Sequence, residues 1–222
     1  MNRPSAGSNK HRQWQHRRQG ARGISLLETL IAMALGLMVL AGVLQFVTQL
    51  VEVNTSTLKV ARLEQDLRTL MDTMLQDIRR AGHFPEAVAD LGNPARFTQS
   101  QPAAPTIDGA AWVAGQPGTA IGYAYRESDG KLMSGRFTYD AKAATILMHT
   151  GTASAPETIT DPAFMSIGEL SFMPELALVQ AGNSTVAIPS VRIRIVARLK
   201  SDPAIERSLE DRITWRNPVV LP

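Results

Sequence analysis

Residues 23–51 begin Gly23-Ile-Ser-Leu-Leu-Glu28 and continue TLIAMALGLMVLAGVLQFVTQLV to Val51. The 23 residues between Glu28 and Glu52 carry no formal charge. As an α-helix rising about 1.5 Å per residue, they would extend about 34 Å, enough to cross a hydrocarbon core of about 30 Å. The stretch therefore predicts a helix that spans a membrane.

The residues before this helix are basic. From Met1 to Gly23 there is no acidic residue, whereas six residues are basic: Arg3, Lys10, Arg12, Arg17, Arg18 and Arg22. Basic flanks stay on the cytoplasmic side of a membrane, so the amino terminus should be cytoplasmic and the rest of the chain translocated. We interpret residues 1–23 as a cytoplasmic leader.

Glu28 lies one turn inside the apolar segment, where an ionisable side chain is costly unless it has a partner or a function. If the chain were cut after Gly23, the new amine of Ile24 would lie one helical turn from Glu28. In a bundle of such helices, that amine can pair with the Glu28 carboxylate of a neighbouring subunit. A glycine, a cut, an apolar residue, three more residues, a glutamate and about twenty apolar residues resemble the class III signal of type IV prepilins and pseudopilins.

This resemblance implies that a prepilin peptidase cleaves the Gly23–Ile24 bond and that Ile24 is then N-methylated. A secretory signal peptide or an uncut signal anchor also combines a basic flank with an apolar stretch. The stretch is longer than the apolar core of a typical signal peptide, however, and a plain anchor leaves Glu28 unexplained. We therefore favour the prepilin interpretation.

Small residues within the apolar segment either mark a packing face, since they let helices approach closely in lipid, or reflect only how common Ala and Gly are in membrane helices. The candidates for helix packing are Ala32, Gly36 and Gly42. From Glu52 the pattern becomes amphipathic, with apolar residues spaced by three or four at Leu63, Leu67, Leu70, Met74, Ile78 and Ala81. This predicts one helix over 24–82, membrane-spanning over 24–51 and amphipathic over 52–82, ending near Gly82.

The remainder, 83–222, predicts a globular domain of antiparallel strands that covers the amphipathic stripe. Residues 85–111 are rich in Pro, Ala and Gly, and we expect no helix or strand of useful length there. Alternation and turn residues predict a hairpin with its turn at Ser128-Asp129-Gly130, and further strands over 145–150, 167–173 and 191–200. The predicted fold class is α+β and pilin-like, a long amino-terminal helix packed on an antiparallel sheet.

The last hairpin has the clearest alternation. We predict that Leu199 pairs with Leu209, Ile195 with Ile213 and Ile193 with Trp215, with Arg198 opposite Glu210. The other face of the first strand carries a basic row of Arg192, Arg194, Arg198 and Lys200. This row is either a docking surface for an anion or the solvated face of a one-sided sheet, and we favour the latter.

Composition excludes several functions. The chain has no Cys, which rules out disulfides, thiol catalysis and thiolate metal sites. After Gly23 all 20 acidic residues remain but only 17 of the 23 basic ones, so the processed chain is slightly acidic and nucleic-acid binding is not expected. His83 and His149 have no partner at metal-ligand spacing. We expect no enzyme activity and no cofactor or metal.

Further segments are similar to the PilW family of type IV pilus minor pilins. They are Gly36-Leu-Met-Val-Leu-Ala-Gly42-Val-Leu-Gln, Gln76-Asp-Ile-Arg-Arg-Ala-Gly82-His-Phe, Val191-Arg-Ile-Arg-Ile-Val-Ala-Arg198 and Thr214-Trp-Arg-Asn217. The resemblance implies a structural subunit that co-assembles with other minor pilins at the pilus tip and primes polymerisation of the major pilin. Its expected partners are prepilin peptidase, those pilins, the inner-membrane assembly platform and membrane lipid.

Two alternatives stay open. A minor pseudopilin of a type II secretion system, most like the J component, would share the fold and the processing. An uncleaved, signal-anchored periplasmic enzyme or binding protein belongs to a different class of function. The minor-pilin and pseudopilin interpretations both place the protein in the bacterial inner membrane before assembly and in a filament afterwards.

Overall fold

The computed structural model describes residues 23, 25–87, 89, 92–151, 153, 155–181, 184–214 and 219–221. It has one long amino-terminal helix followed by antiparallel sheets, which confirms the α+β prediction. The chain divides into two units, Met1–Glu52 and Val53–Pro222.

Helix α1 is 54 residues long and extends over Leu26–Arg79. Within the described residues it is the one helix long and apolar enough to cross a membrane. In the first unit all its residues are exposed. An apolar surface of this extent needs lipid or other helices around it.

In the second unit, α1 has one buried face. The predicted stripe is confirmed, because all six of its residues are buried: Leu63, Leu67, Leu70, Met74, Ile78 and Ala81. Met71 and Leu75 are buried as well and widen the stripe. The helix ends where predicted, since Gly82 has a φ of 76°, which favours glycine after a helix. The Gly82 N–H then donates to Ala124 O on the first sheet, at 2.9 Å.

The first sheet has six strands in the order β2-β1-β3-β4-β5-β6. Their bounds are β1 Thr106–Ile107, β2 Ala110–Ala111, β3 Ala120–Arg126, β4 Leu132–Asp140, β5 Thr145–Thr150 and β6 Glu157–Thr158. The predicted β3–β4 hairpin is confirmed: Gly130 has a φ of 80°, and Asp129 Oδ1 accepts a hydrogen bond from the Lys131 N–H. Strand β5 has the predicted bounds.

The second sheet has four strands. Strands β7 (Met165–Ala181) and β8 (Ser184–Leu199) form a long hairpin, and β9 (Glu206–Thr214) and β10 (Val219–Leu221) both pair with β8. An isolated bridge between Gly118 and Phe172 joins the segment before β3 to β7. The core contains the buried face of α1 together with inward side chains of both sheets.

Tyr123 connects the helix to the first sheet. Its hydroxyl donates to Asp77 Oδ2 at 3.1 Å, and its ring stacks on Phe137 at a centroid distance of 5.8 Å. Gly135 lies directly opposite Tyr123 on β4, and a Cβ there would meet the Tyr123 ring. The absence of a side chain at Gly135 therefore makes the position of Tyr123 possible.

The predicted register of the last hairpin is wrong. Ile195 pairs with Leu209 and not with Ile213, a difference of four residues along β9, and Arg198 lies opposite Glu206 and not Glu210. The predicted partner Trp215 lies outside the described residues. A shift by an even number keeps every side chain on its predicted face, and Val191, Ile193, Ile195, Ala197, Leu199 and Ile213 are indeed buried.

The prediction of no regular element between 85 and 111 is also wrong. A short helix, α2, covers Pro94–Ser100, and a single 3-10 turn covers Pro85–Ala87. Asn93 caps α2, because its Oδ1 accepts a hydrogen bond from the Arg96 N–H at 3.2 Å. Proline at the first helical position fits the same pattern, since its fixed φ suits a helix start.

Candidate functional site

The first turn of α1 is organised by Ser25 and Thr29. The Thr29 N–H donates to Ser25 O at 3.1 Å, and the Thr29 hydroxyl donates to Leu26 O at 2.8 Å. Ser25 is thus the N-cap residue, and Glu28 occupies the third helical position. Serine followed three residues later by glutamate is a helix-start signature that the sequence analysis did not use.

The carboxylate of Glu28 is therefore favoured locally by the helix dipole, which places about half a positive charge at the amino end of a helix. Glu28 is exposed and lines a shallow groove of about 350 Å³ with Ser25, Leu27, Ile31, Ala32 and Leu35. Within the described part of the chain, no cationic side chain forms an ion pair with it. The groove presents one acid on an otherwise largely apolar surface.

Gly23 is exposed, and a Cβ at this position would meet no atom within 4 Å. Ile24, the predicted first residue of the processed chain and the predicted methylation site, lies outside the described residues. Cleavage between the two residues, and the pairing of Glu28 with a neighbour's amine, therefore stay predictions.

The small residues predicted to pack lie on the same side of α1 as Glu28. At 100° per residue, Glu28, Ala32, Gly36 and Gly42 fall within a sector of about 120°. A Cβ at either glycine would meet no atom within 4 Å. The surface at these positions is open, so another helix can approach the backbone there.

The three arginines of the basic row lie on β8 and are paired with acids, and Lys200 follows the end of that strand. Arg192 contacts Glu175 and Glu210, Arg194 contacts Glu169 and Glu210, and Arg198 binds Glu206 at 2.7 Å. These side chains are about half exposed. The arrangement is that of a solvated, ion-paired sheet face, which agrees with the preferred alternative of the sequence analysis.

Among the described residues, no group of three His, Asp or Glu side chains could hold a metal ion. His149 lies on β5, and His83 follows the end of α1 and accepts a backbone hydrogen bond from the Arg126 N–H at 2.7 Å. The structure does not bring the two histidines into one cluster.

Comparison with known proteins concerns the second unit. The family model described as PpdB, prepilin peptidase-dependent protein B, matches residues 56–215, which is more than half of the chain. The chain belongs to this family. No curated protein and no solved structure matches it.

The matched segment begins after the membrane-length part of α1 and does not include Gly23, Ile24 or Glu28. The processing signal predicted for residues 23–28 and the match to a family described as prepilin peptidase-dependent thus come from separate parts of the chain. The family match and the apolar first part of α1 indicate a pilus-related protein that depends on prepilin peptidase and has an amino-terminal membrane anchor. Membership of the PilW family is a finer assignment than this match makes.

Proposed function

We propose that this protein is a minor pilin of a type IV pilus, of the PilW type. Prepilin peptidase cuts between Gly23 and Ile24 and methylates the new terminus. Before assembly, the helix over 24–51 lies in the inner membrane and the globular domain lies in the periplasm. The helix then moves into a filament, where the subunit joins other minor pilins at the tip and initiates polymerisation of the major pilin.

The observation that carries this proposal is the exposed carboxylate of Glu28 in the first turn of a helix whose next 23 residues carry no formal charge. In lipid, an unpaired charge is costly, and the half charge of the helix start offsets only part of that cost. The amine of a neighbouring subunit supplies a full positive charge. A bundle of processed helices therefore gives Glu28 the partner that it lacks among the described residues.

The face that carries Glu28 suits such a bundle. Ala32, Gly36 and Gly42 let a neighbouring backbone approach, and close approach strengthens the pairing of charges as well as van der Waals packing. Large apolar side chains lie on this face and on the other sides of the helix, and they are exposed in the single chain, for example Phe46, Met38 and Leu37. Contact with lipid before assembly, and with other helices afterwards, removes them from water.

The cleavage step is tested by expressing the full chain with and without prepilin peptidase. We expect the peptidase to yield a product that begins at Ile24, measured by intact mass and amino-terminal sequencing. The Gly23→Glu variant should keep its leader under the same conditions. A product of mature length from this variant, or a wild-type chain that still begins upstream of Ile24, would contradict the proposal.

The assembly step is tested by complementing a deletion strain. Glu28→Ala should be cleaved normally but should restore few pili, counted by electron microscopy. Thr29→Ala is the matched control, because it alters the next side chain of the same turn, whose hydroxyl bonds only to Leu26 O. Normal piliation with Glu28→Ala would refute the pairing role. Intact pili with a loss of type II secretion in the deletion strain would instead identify a pseudopilin.

A further inference from the structure

The outer face of the first sheet contains a groove of about 570 Å³. One row of directly paired residues crosses it on four neighbouring strands: Thr106 on β1, Gly122 on β3, Arg136 on β4 and His149 on β5. Their chain neighbours Ile107, Ile121 and Phe137 are buried in the core, and Met148, next to His149, packs against it. Because side chains alternate along a strand, the row itself faces outward.

Gly122 makes room for the arginine of this row. A Cβ at Gly122 would lie 2.7 Å from Thr106 Oγ1 and 4.0 Å from Arg136 Nε, and a Cβ at Gly109 would lie 3.2 Å from Arg136 Nη2. The guanidinium of Arg136 therefore extends across β3 toward the β1–β2 turn, above a strand position that has no side chain. The groove is open along this path because Gly122 and Ala124 form its floor.

The charge of this groove is not balanced. The side chain of Arg136 makes no ion pair and no hydrogen bond with the described part of the chain, and none of the residues that line the groove is acidic. The arginines of β8 differ in this respect, because Arg192, Arg194 and Arg198 all have glutamate partners. The same residue type is thus neutralised on one sheet and left available on the other.

We propose that this groove binds an acidic segment of another polypeptide, whose carboxylate pairs with Arg136. The planar guanidinium matches a carboxylate with two parallel hydrogen bonds. The hydroxyls of Thr106, Ser134 and Thr138 line the same groove and supply further hydrogen bonds. His149 lies beside Arg136 in the row and offers ring nitrogens to the same ligand.

The lining favours a peptide over a free anion. The walls carry small apolar side chains, including Ala103, Ala104 and Pro156, which contact hydrocarbon and add nothing to the binding of an inorganic ion. A volume of about 570 Å³ lies in the range of sites that hold several connected groups. A single unpaired arginine also falls short of the multiple cations that nucleic-acid backbones require.

The test follows His149 by NMR in the full chain, held in detergent micelles. The chain has 4 histidines, and comparison with His149→Gln assigns the ring signal of interest. The probe is the capped peptide acetyl-Ala-Ala-Glu-Ala-Ala-amide, and its partner probe has Gln in place of Glu. We expect the Glu peptide to shift the His149 signal in a saturable way and the Gln peptide to leave it unchanged.

Variants locate the binding. Arg136→Gln should weaken the binding of the Glu peptide at least about tenfold, which is the effect of losing one charge-assisted hydrogen bond. Arg192→Gln is the matched control, because it removes an arginine of the ion-paired sheet, and binding should be unchanged. Ala124→Leu should also abolish binding, because the larger side chain occupies the groove while Arg136 is retained. This second variant keeps the proposal testable if Arg136→Gln does not fold.

Three outcomes would overturn the proposal. They are equal shifts with the Glu and Gln peptides, unchanged affinity in folded Arg136→Gln or Ala124→Leu, and binding of sodium acetate or inorganic phosphate as tight as that of the peptide. The last result would assign the groove to a free anion. None of these measurements depends on cleavage at Gly23, so their failure leaves the proposed minor-pilin function intact.

Discussion

The two parts of helix α1 both contain several Leu and Met residues but have opposite surroundings. Between Ser25 and Glu52 every described side chain is exposed, whereas after Val53 seven of the helix's apolar side chains are buried: Leu63, Leu67, Leu70, Met71, Met74, Leu75 and Ile78. Leu and Met have high helix propensity in both parts, so propensity does not distinguish them. The difference lies in what covers each part.

The distribution of charge explains the difference. The second part alternates apolar and charged residues around the helix, so that one face fits a protein core and the other fits water. The first part has apolar residues on all sides, so no orientation against a sheet would bury it. Stability of the globular domain should therefore depend on the second part, and membrane insertion on the first.

The largest effect is expected from truncation of the buried face. Leu67 is 2% exposed, and Leu67→Ala should lower the free energy of unfolding by about 2–5 kcal/mol, since it loses apolar burial and leaves a cavity. The measurement is denaturant unfolding of the full chain in a mild detergent, followed by tryptophan fluorescence, because Trp112 packs against the core.

Leu40→Ala makes the same chemical change in the first part, where Leu40 is 54% exposed. The free energy of unfolding of the globular domain should then stay within about 0.5 kcal/mol of the wild type. Equal losses in the two variants would show that the first part also contributes to the core, and the contrast between the two parts would fail.

Introducing a charge into each part tests membrane insertion, which should depend on the first part of α1 and not on the second. Leu40→Asp places a carboxylate near the middle of the uncharged segment, where insertion should become about 3 kcal/mol less favourable. Leu58→Asp places one at an exposed position beyond that segment and should not affect insertion. The measurement is the fraction of each variant that resists alkaline extraction from membranes. Equal resistance of Leu40→Asp and Leu58→Asp would argue against a spanning helix.

Local patterns predicted the elements whose partners are nearby in the chain. The stripe on α1, its end at Gly82 and the β3–β4 turn at Gly130 each depend on spacing or on a positive φ, which are local properties. The register of β8 and β9 was missed because alternation distinguishes odd from even shifts only. The turn is tighter than predicted, and the pairing of Arg198 with Glu206 accompanies the shorter connection.

The groove at Arg136 could not be predicted in the same way. Its row joins residues that are distant in sequence, Thr106 and His149 among them, and only the strand order brings them together. Gly122 could have been noticed within a strand pattern, since such a glycine often marks a close approach. The group that approaches Gly122 is the Arg136 side chain, and its position depends on the pairing of β3 with β4. By contrast, Glu28 stood out because one charge in an apolar run is visible without any fold.

A smaller effect is expected where the second part of α1 meets the sheet through a hydrogen bond. Tyr123→Phe removes the bond to Asp77 and should lower the free energy of unfolding by about 1 kcal/mol near neutral pH. The ring and its stacking on Phe137 are retained, so packing is preserved. A loss of stability as large as that of Leu67→Ala would show that the hydroxyl contributes more to the free energy of unfolding than one hydrogen bond does.

The same tyrosine predicts a dependence on pH. Burial raises the pKa of Tyr123 well above its ordinary value of 10.0, and the charge of Asp77 and its hydrogen bond act in the same direction. The unfolded chain therefore releases this proton first, and wild-type stability should begin to fall as the pH rises above 10.0. Tyr123→Phe should show a smaller alkaline decline in denaturant unfolding, and an identical decline would contradict this assignment.

The smallest effect is expected from the exposed ion pair between α1 and β9. Arg207 Nε lies 2.9 Å from Glu64 Oε1, and both side chains are nearly half exposed. Water screens such pairs, so a double-mutant cycle with Arg207→Gln and Glu64→Gln should give a coupling of about 0–1 kcal/mol that declines with added salt. The apolar stripe packs the helix against the sheets, and this ion pair lies at the edge of that packed surface. A coupling energy as large as the stability lost in Leu67→Ala would contradict this, because the ion pair would then stabilise the contact between helix and sheet as much as apolar packing does.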